Sequence, residues 1–181
     1  MIQKTINLYK FDELDASAKD KALESWNNQY HDYCFLEESL NEYLKELLIE
    51  KGVKIHDDGD FKLYYSLSYC QGDGVCFVGN FELNGRTIFV RHNNGHYYHS
   101  NSVYIEVEHE DEDEDELRAD IIEALEQTAE KEFIEIYDEI CDKIEKSGYE
   151  QIEYEQSEEN FKELCEMNEY TFEIDGTMNN L

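Results

Sequence analysis

The chain has 181 residues, of which 15 are basic and 45 acidic, giving a formal net charge of −30 at pH 7. A field of one sign at this density attracts basic surfaces and repels nucleic acid and anionic membranes, so neither nucleic acid nor membrane is expected as a direct partner. Hydrophobic residues make up 40% and aromatics 13%, which suffices for a core and exceeds what disordered acidic tails carry. One domain over residues 1–181 is expected.

Residues Thr5 to Phe11 alternate weakly and read as a short first strand. Asp15 is placed to cap a helix whose Ala18, Ala22, Leu23, Trp26 and Tyr30 share a face. A second helix runs through Leu36, Leu40, Tyr43, Leu44, Leu47 and Leu48 and stops at Gly52. The period then changes from helical to alternating. Phe61, Leu63, Tyr65, Leu67 and Tyr69 form one face, and after Gln71-Gly72-Asp73-Gly74 the alternation resumes as Val75, Phe77, Gly79, Phe81 and Leu83. Asn84-Gly85 and Asn93-Asn94-Gly95 turn the chain twice more, through Ile88 and Val90 into a strand from Tyr97 to Glu108. The fold class expected is α+β, an antiparallel four- to five-stranded meander packed by helices on one face.

A long helical pattern follows, with Leu117, Ile121, Leu125, Ala129 and Phe133 as its stripe and Ile122, Ile136, Ile140 and Ile144 beside it. Ser147-Gly148 is expected to break this helix. Ser157 opens a shorter one to Met167, and Tyr170, Phe172 and Ile174 read as a last strand.

No set of residues announces chemistry. Gly72-Asp73-Gly74 has glycines that would let backbone amides approach an anion, but a phosphate loop runs from strand to helix and this one joins two strands. It reads as a turn that displays Gln71 and Asp73. His92, His96 and His99 have no cysteine or carboxylate at a zinc-ligand spacing. Asp111, Asp113 and Asp115 imitate the start of a calcium loop, but Glu116 stands where that loop needs Gly and Ile122 where it needs Glu. Cys34, Cys70, Cys76, Cys141 and Cys165 are scattered, which suits reduced thiols in a cytosol. Met1-Ile2-Gln3-Lys4 has no apolar signal stretch, and no apolar run is long enough to span a bilayer. The expectation is a cytoplasmic protein that is not an enzyme and holds no metal or cofactor.

Four stretches together resemble a family of small uncharacterised proteins of bacteriophages and prophages. They are Phe11-Asp12-Glu13-Leu14 with Ala18-Lys19 to Trp26; Ser68 to Gly79 with its Gln71-Gly72-Asp73-Gly74 motif; Tyr97-Tyr98-His99-Ser100; and Asn168-Glu169-Tyr170-Thr171-Phe172 leading to Asp175-Gly176. Cys76 departs from the small residues usual in the family, and the acid run is longer than typical. The resemblance implies a phage protein in a host bacterium but assigns no activity.

A compact acidic phage protein without a catalytic set looks like an inhibitor of a host nucleic-acid-targeting defence nuclease, of the anti-CRISPR type, acting as a nucleic-acid mimic. Residues 106–181 hold 29 acids and 5 bases, a net −24. The surface expected to meet a basic groove comprises Glu110, Asp111, Glu112, Asp113, Glu114, Asp115, Glu116, Asp120, Glu123 and Glu126, with Gln71 and Asp73 on the hairpin. The competing expectation is a module for a small anion or nucleotide, its pocket formed by the Gln71 to Val75 tip, Arg86, Arg91 and His99.

Overall fold

A computed structural model describes residues 7–28, 34–56, 61–93, 95–108 and 116–179, with the backbone alone for Cys34 and residues 116–122. Glu110 to Asp115 lie outside the described residues. The fold is α+β, and the chain gathers into two compact units, Phe35–Tyr149 and Met1–Cys34 with Glu150–Leu181.

In the unit Phe35–Tyr149, ten-residue β3 (Gly74–Leu83) is the centre of the sheet. Its odd-numbered residues are buried from Val75 to Leu83, while Val78, Asn80 and Glu82 are half-exposed, as expected for a strand with one covered face. It is long enough to pair antiparallel with both β1 (Lys54–Ile55) and β2 (Lys62–Ser66). Asn84 and Gly85 have φ of 53° and 82°, the left-handed pair that a two-residue hairpin needs, and they return the chain as β4 (Arg86–His92). Strand β5 (Val103–Val107) pairs with β4, completing the order β1-β3-β4-β5 with β2 beside β3. The last strand is shorter than its sequence suggests. Residues from Tyr97 to His99 are not strand, and Ser100–Ser102 form a 3-10 turn, because their side chains pack onto the start of β3 instead of continuing the ladder.

Helices α2 (Cys34–Glu50) and α3 (Glu116–Glu155) cover the apolar face. From α2, Leu36, Leu40, Leu44, Leu47 and Leu48 are buried, and from α3, Phe133, Tyr137, Ile140 and Ile144. Phe133 packs on Phe81 with ring centres 5.7 Å apart, and Tyr137 on Phe77 at 4.3 Å, so α3 runs antiparallel along β3. The β3–β4 pairing starts at Gly79, and beyond it the Tyr137 hydroxyl accepts from the Phe77 N–H and donates to the Phe77 carbonyl, both at 2.9 Å. Tyr137→Phe strands both backbone groups in the core and is expected to lower stability by about 1–3 kcal/mol. A urea titration reads this as a lower midpoint with unchanged slope; an unmoved midpoint would contradict it.

Two expectations about α3 are corrected. Ser147-Gly148 does not break it; the helix continues to Glu155. Gly148 is there because the Leu67 side chain occupies the space where a β-carbon would stand. The stripe is also displaced: Leu125 is exposed, whereas Glu126 is buried with Phe133, Tyr137, Ile140 and Ile144. Steps of four residues drift by about 40° each around a 3.6-residue helix, so a series running from 117 to 133 cannot stay on one face.

The other unit has its own core of Phe11, Leu14, Ala18, Ala22, Phe161, Cys165 and Phe172. Asp15 caps α1 (Ala16–Asn27) by accepting from the Ala18 N–H at 2.9 Å. Ser157 caps α4 (Glu158–Met167) by accepting from the Asn160 N–H at 3.1 Å. Phe161 lies edge-on to Phe11 with ring centres 5.1 Å apart. The expected first strand reduces, among the described residues, to a single bridge between Tyr9 and Phe172, with a 3-10 turn from Phe11 to Glu13. The expected last strand is the two-residue β6 (Thr171–Phe172), paired with β7 (Met178–Asn179). Ile174 is exposed in the turn between them. No helix among the described residues is long and apolar enough to cross a membrane.

Candidate functional site

The Gln71-Gly72-Asp73-Gly74 segment links β2 to β3, and its acid does the opposite of what its turn position suggests. Asp73 is only 8% exposed. Its Oδ2 accepts from the Ser68 N–H at 2.6 Å, the Cys70 N–H at 3.0 Å and the Tyr149 hydroxyl at 2.6 Å. Its Oδ1 accepts from Ser66 Oγ at 3.1 Å and Cys70 Sγ at 3.2 Å. A carboxylate that can bind several donors at once ties a loop to itself and to a helix. Of the two polar residues assigned to the tip, Gln71 is exposed and Asp73 is turned inward.

The two glycines serve packing, not anion approach. A β-carbon on Gly74 would lie 2.6 Å from His99 Nδ1, and one on Gly72 would lie 3.2 Å from the Tyr97 ring. The structure therefore brings the Tyr97-Tyr98-His99 segment against the hairpin, as neighbours that their sequence separation conceals. Tyr97 stacks on His99 with ring centres 5.8 Å apart. Tyr98 stacks on Tyr64 at 5.5 Å, and His92 packs on Tyr64 at 5.4 Å. Lys62 Nζ stands 4.6 Å over the Tyr64 ring. At the loop itself Tyr69 has φ of 55°, an uncommon conformation for a residue with a side chain, and its ring lies 4.8 Å from that of Tyr149. The three histidines do not converge: His92 and His99 belong to different stacks, and among the described residues no group of three His, Cys, Asp or Glu could hold a metal.

Burial alone would push the Asp73 pKa up, but the Tyr149 hydroxyl, the Cys70 amide and thiol and the Ser68 amide together hold it well below the usual carboxylate range. Lys51 and Lys143 lower Glu139 to about 2, and Lys21 with Thr177 lowers Asp175 to about 2. A carboxyl depressed in the folded state contributes stability that is complete above its unfolded pKa and is lost as pH falls through the folded one. Against this, acidification toward the isoelectric point near 4.3 relieves the repulsion of a −30 chain. The two together predict a melting temperature that rises modestly from pH 7 to about pH 5 and falls steeply below about pH 3.5. Thermal melts from pH 2 to 7 check this, and a melting temperature that keeps rising to pH 3 would contradict it.

The acidic surface is divided by the structure. Glu116 and Asp120 lie in the first turns of α3, and Glu123 is exposed. Glu126 is 7% exposed and pairs with Arg86 at 3.8 Å, so it faces the protein instead of a partner. It sits where the apolar stripe passes, and Arg86 at the hairpin end of β4 offsets its charge. Beyond it, residues not assigned from sequence continue the exposed acids: Glu132, Glu135, Asp138, Glu139 and Asp142. Glu135, Asp138 and Asp142 share one side of the helix by their spacing, and among the described residues no Lys or Arg pairs with them. The period that places Phe133 and Tyr137 inside puts these three outside, a signal present in the sequence.

Of the residues expected to form a small-anion pocket, His99 lies against the Gln71 to Val75 tip, but the two arginines do not join it. Arg86 stands at the Leu83 end of β3 and Gly74 begins it, about 30 Å away along the strand. Arg91 donates to the carbonyls of Gly79 and Val90 at 3.0 Å and to Asn80 Oδ1 at 2.6 Å, so its guanidinium bonds its own sheet. No family model, no curated protein and no solved structure matches the chain.

Proposed function

We propose that this protein is a phage-encoded inhibitor that binds the basic groove of a host nucleic-acid-targeting nuclease, of the CRISPR effector type, and acts as a nucleic-acid mimic without catalysis. The observation that carries the reading is the acid density of α3. Its 40 residues hold 14 acids and 4 bases. Glu126 faces inward, and at ~1.5 Å of rise per residue the other acids leave about one carboxylate per 4–5 Å of helix. A DNA strand offers one phosphate per ~3.4 Å, so a channel lined to hold a phosphate backbone meets a comparable charge spacing. The phage resemblance of the hairpin and terminal motifs supports the same reading, as does the position of Arg86 and Arg91, which among the described residues line no pocket at the hairpin.

The test is an affinity pull-down from a host lysate with the protein immobilised, run at low and high salt. A basic nuclease retained at low salt and released at high salt is the expected result, since exposed charges act within a Debye length of about 8 Å at physiological ionic strength. Retention of no basic nucleic-acid-binding protein at low salt would contradict the proposal.

A further inference from the structure

We propose that the Ser68–Gly74 loop, with Tyr69 and Tyr97, forms a recognition surface for an arginine side chain of the basic partner. The proposal rests on the reading above that the partner is basic, and it adds a second contact, built on tyrosine rings, apart from the Glu135, Asp138 and Asp142 face of α3. Tyr69 and Tyr97 are 60% and 58% exposed, unusually high for rings held by so many local contacts. Tyr97 is pinned against Gly72, and Tyr69 is backed by Tyr149.

The loop that carries Tyr69 is preorganised by five donor contacts to the buried carboxylate of Asp73. Within it Tyr69 is held at φ 55°, where glycine would be relaxed. An exposed aromatic fixed in a disfavoured backbone conformation by an over-determined loop is a recurrent mark of a ligand contact. A rigid ring also loses little freedom when it binds.

The chemistry of the surface selects a guanidinium. It is planar, stacks on tyrosine faces, and still donates in its plane to nearby oxygen acceptors. The exposed amide of Gln71 supplies one such acceptor, and Glu145, one turn before Tyr149 on α3, supplies a carboxylate on the same side of that helix. A nucleobase would also stack on tyrosine, but its phosphates would have to enter the field of a chain at −30.

Fluorescence anisotropy with a labelled nona-arginine peptide, a labelled nona-lysine peptide and a labelled oligo-dT tests the proposal at one fixed salt concentration. The variant Tyr69→Gly/Tyr97→Leu removes both rings, and glycine adopts φ 55° without strain, so the loop stays formed. It is expected to weaken nona-arginine binding about tenfold and nona-lysine binding less than threefold. Parent-like affinity of this variant for nona-arginine, equal losses for both peptides, or tight binding of oligo-dT to the parent would each overturn the arginine surface. In the parent, nona-arginine should also shift the backbone amide resonances of Tyr69, Cys70, Gln71 and Tyr97; shifts confined to α3 would overturn it without recourse to a variant. Loss of α3 acids should weaken both peptides alike. If reversing those acids leaves both peptides bound as tightly as before, the acidic-mimic reading fails, whatever the tyrosine variant does.

Discussion

Asp73→Ala is expected to lower the unfolding free energy by about 3–4 kcal/mol, the largest stability effect of any substitution considered. The estimate follows from what the carboxylate does. Two backbone amides, one phenol, one hydroxyl and one thiol donate to it inside the protein. Hydrogen bonds to a charged acceptor contribute about 1.5–3 kcal/mol each when both partners are satisfied, and removing the acceptor leaves buried donors with nothing to bind. The contributions do not add fully, because Ser66 and Cys70 stand near enough to the surface for water to replace part of the loss. Asp73→Asn keeps one acceptor oxygen and is expected to lose about half as much. For a chain of this length the alanine variant should melt about 10 °C lower. A loss under 1 kcal/mol would mean that the carboxylate does not hold the loop.

Reversing Glu123, Glu135, Asp138 and Asp142 to lysine together is expected to weaken binding to the basic partner by at least about a hundredfold at physiological salt, with the fold intact. The four are exposed, none caps a helix, and among the described residues none joins an ion pair, so folding should not depend on them. Glu126 and Glu139 are left in place, because the first pairs with Arg86 in a buried position and the second joins Lys51 and Lys143. Single changes to alanine should each matter little, since an isolated exposed charge contributes only fractions of a kcal/mol. Surface plasmon resonance should place most of the loss in the association rate, which rim charges govern. A folded quadruple variant that binds as tightly as the parent would remove α3 from the interface.

The elements with local determinants were legible in the sequence. Asp15 and Ser157 cap the helices they were expected to cap, and Asn84-Gly85 makes the hairpin its dihedral demands predict. What escaped were features whose cause lies far along the chain. A glycine that ends a helix and one that admits a neighbour read alike, and Gly148 is the second kind because of Leu67. Asp73 sits in a turn, where acids are usually solvated, and only Tyr149 on a distant helix reveals that it faces inward. Tyr97 to Ser102 carry aromatics and lead into the alternating Val103, Ile105 and Val107, yet packing on Gly72 and Gly74 overrides the strand there. As an acid in an acid-rich helix Glu126 reads as surface; its position two turns before buried Phe133, paired with Arg86, decides otherwise.

The most direct measurement of the central claim is competition at the nuclease itself. A CRISPR effector recovered as partner is titrated with this protein while labelled guide or target nucleic acid is bound, and displacement is followed by anisotropy. A mimic that occupies the phosphate-binding channel must release the nucleic acid, with an apparent affinity that falls in proportion to the nucleic acid present and weakens steeply with salt. A stable ternary complex of nuclease, nucleic acid and this protein, with affinity indifferent to both, would contradict the account.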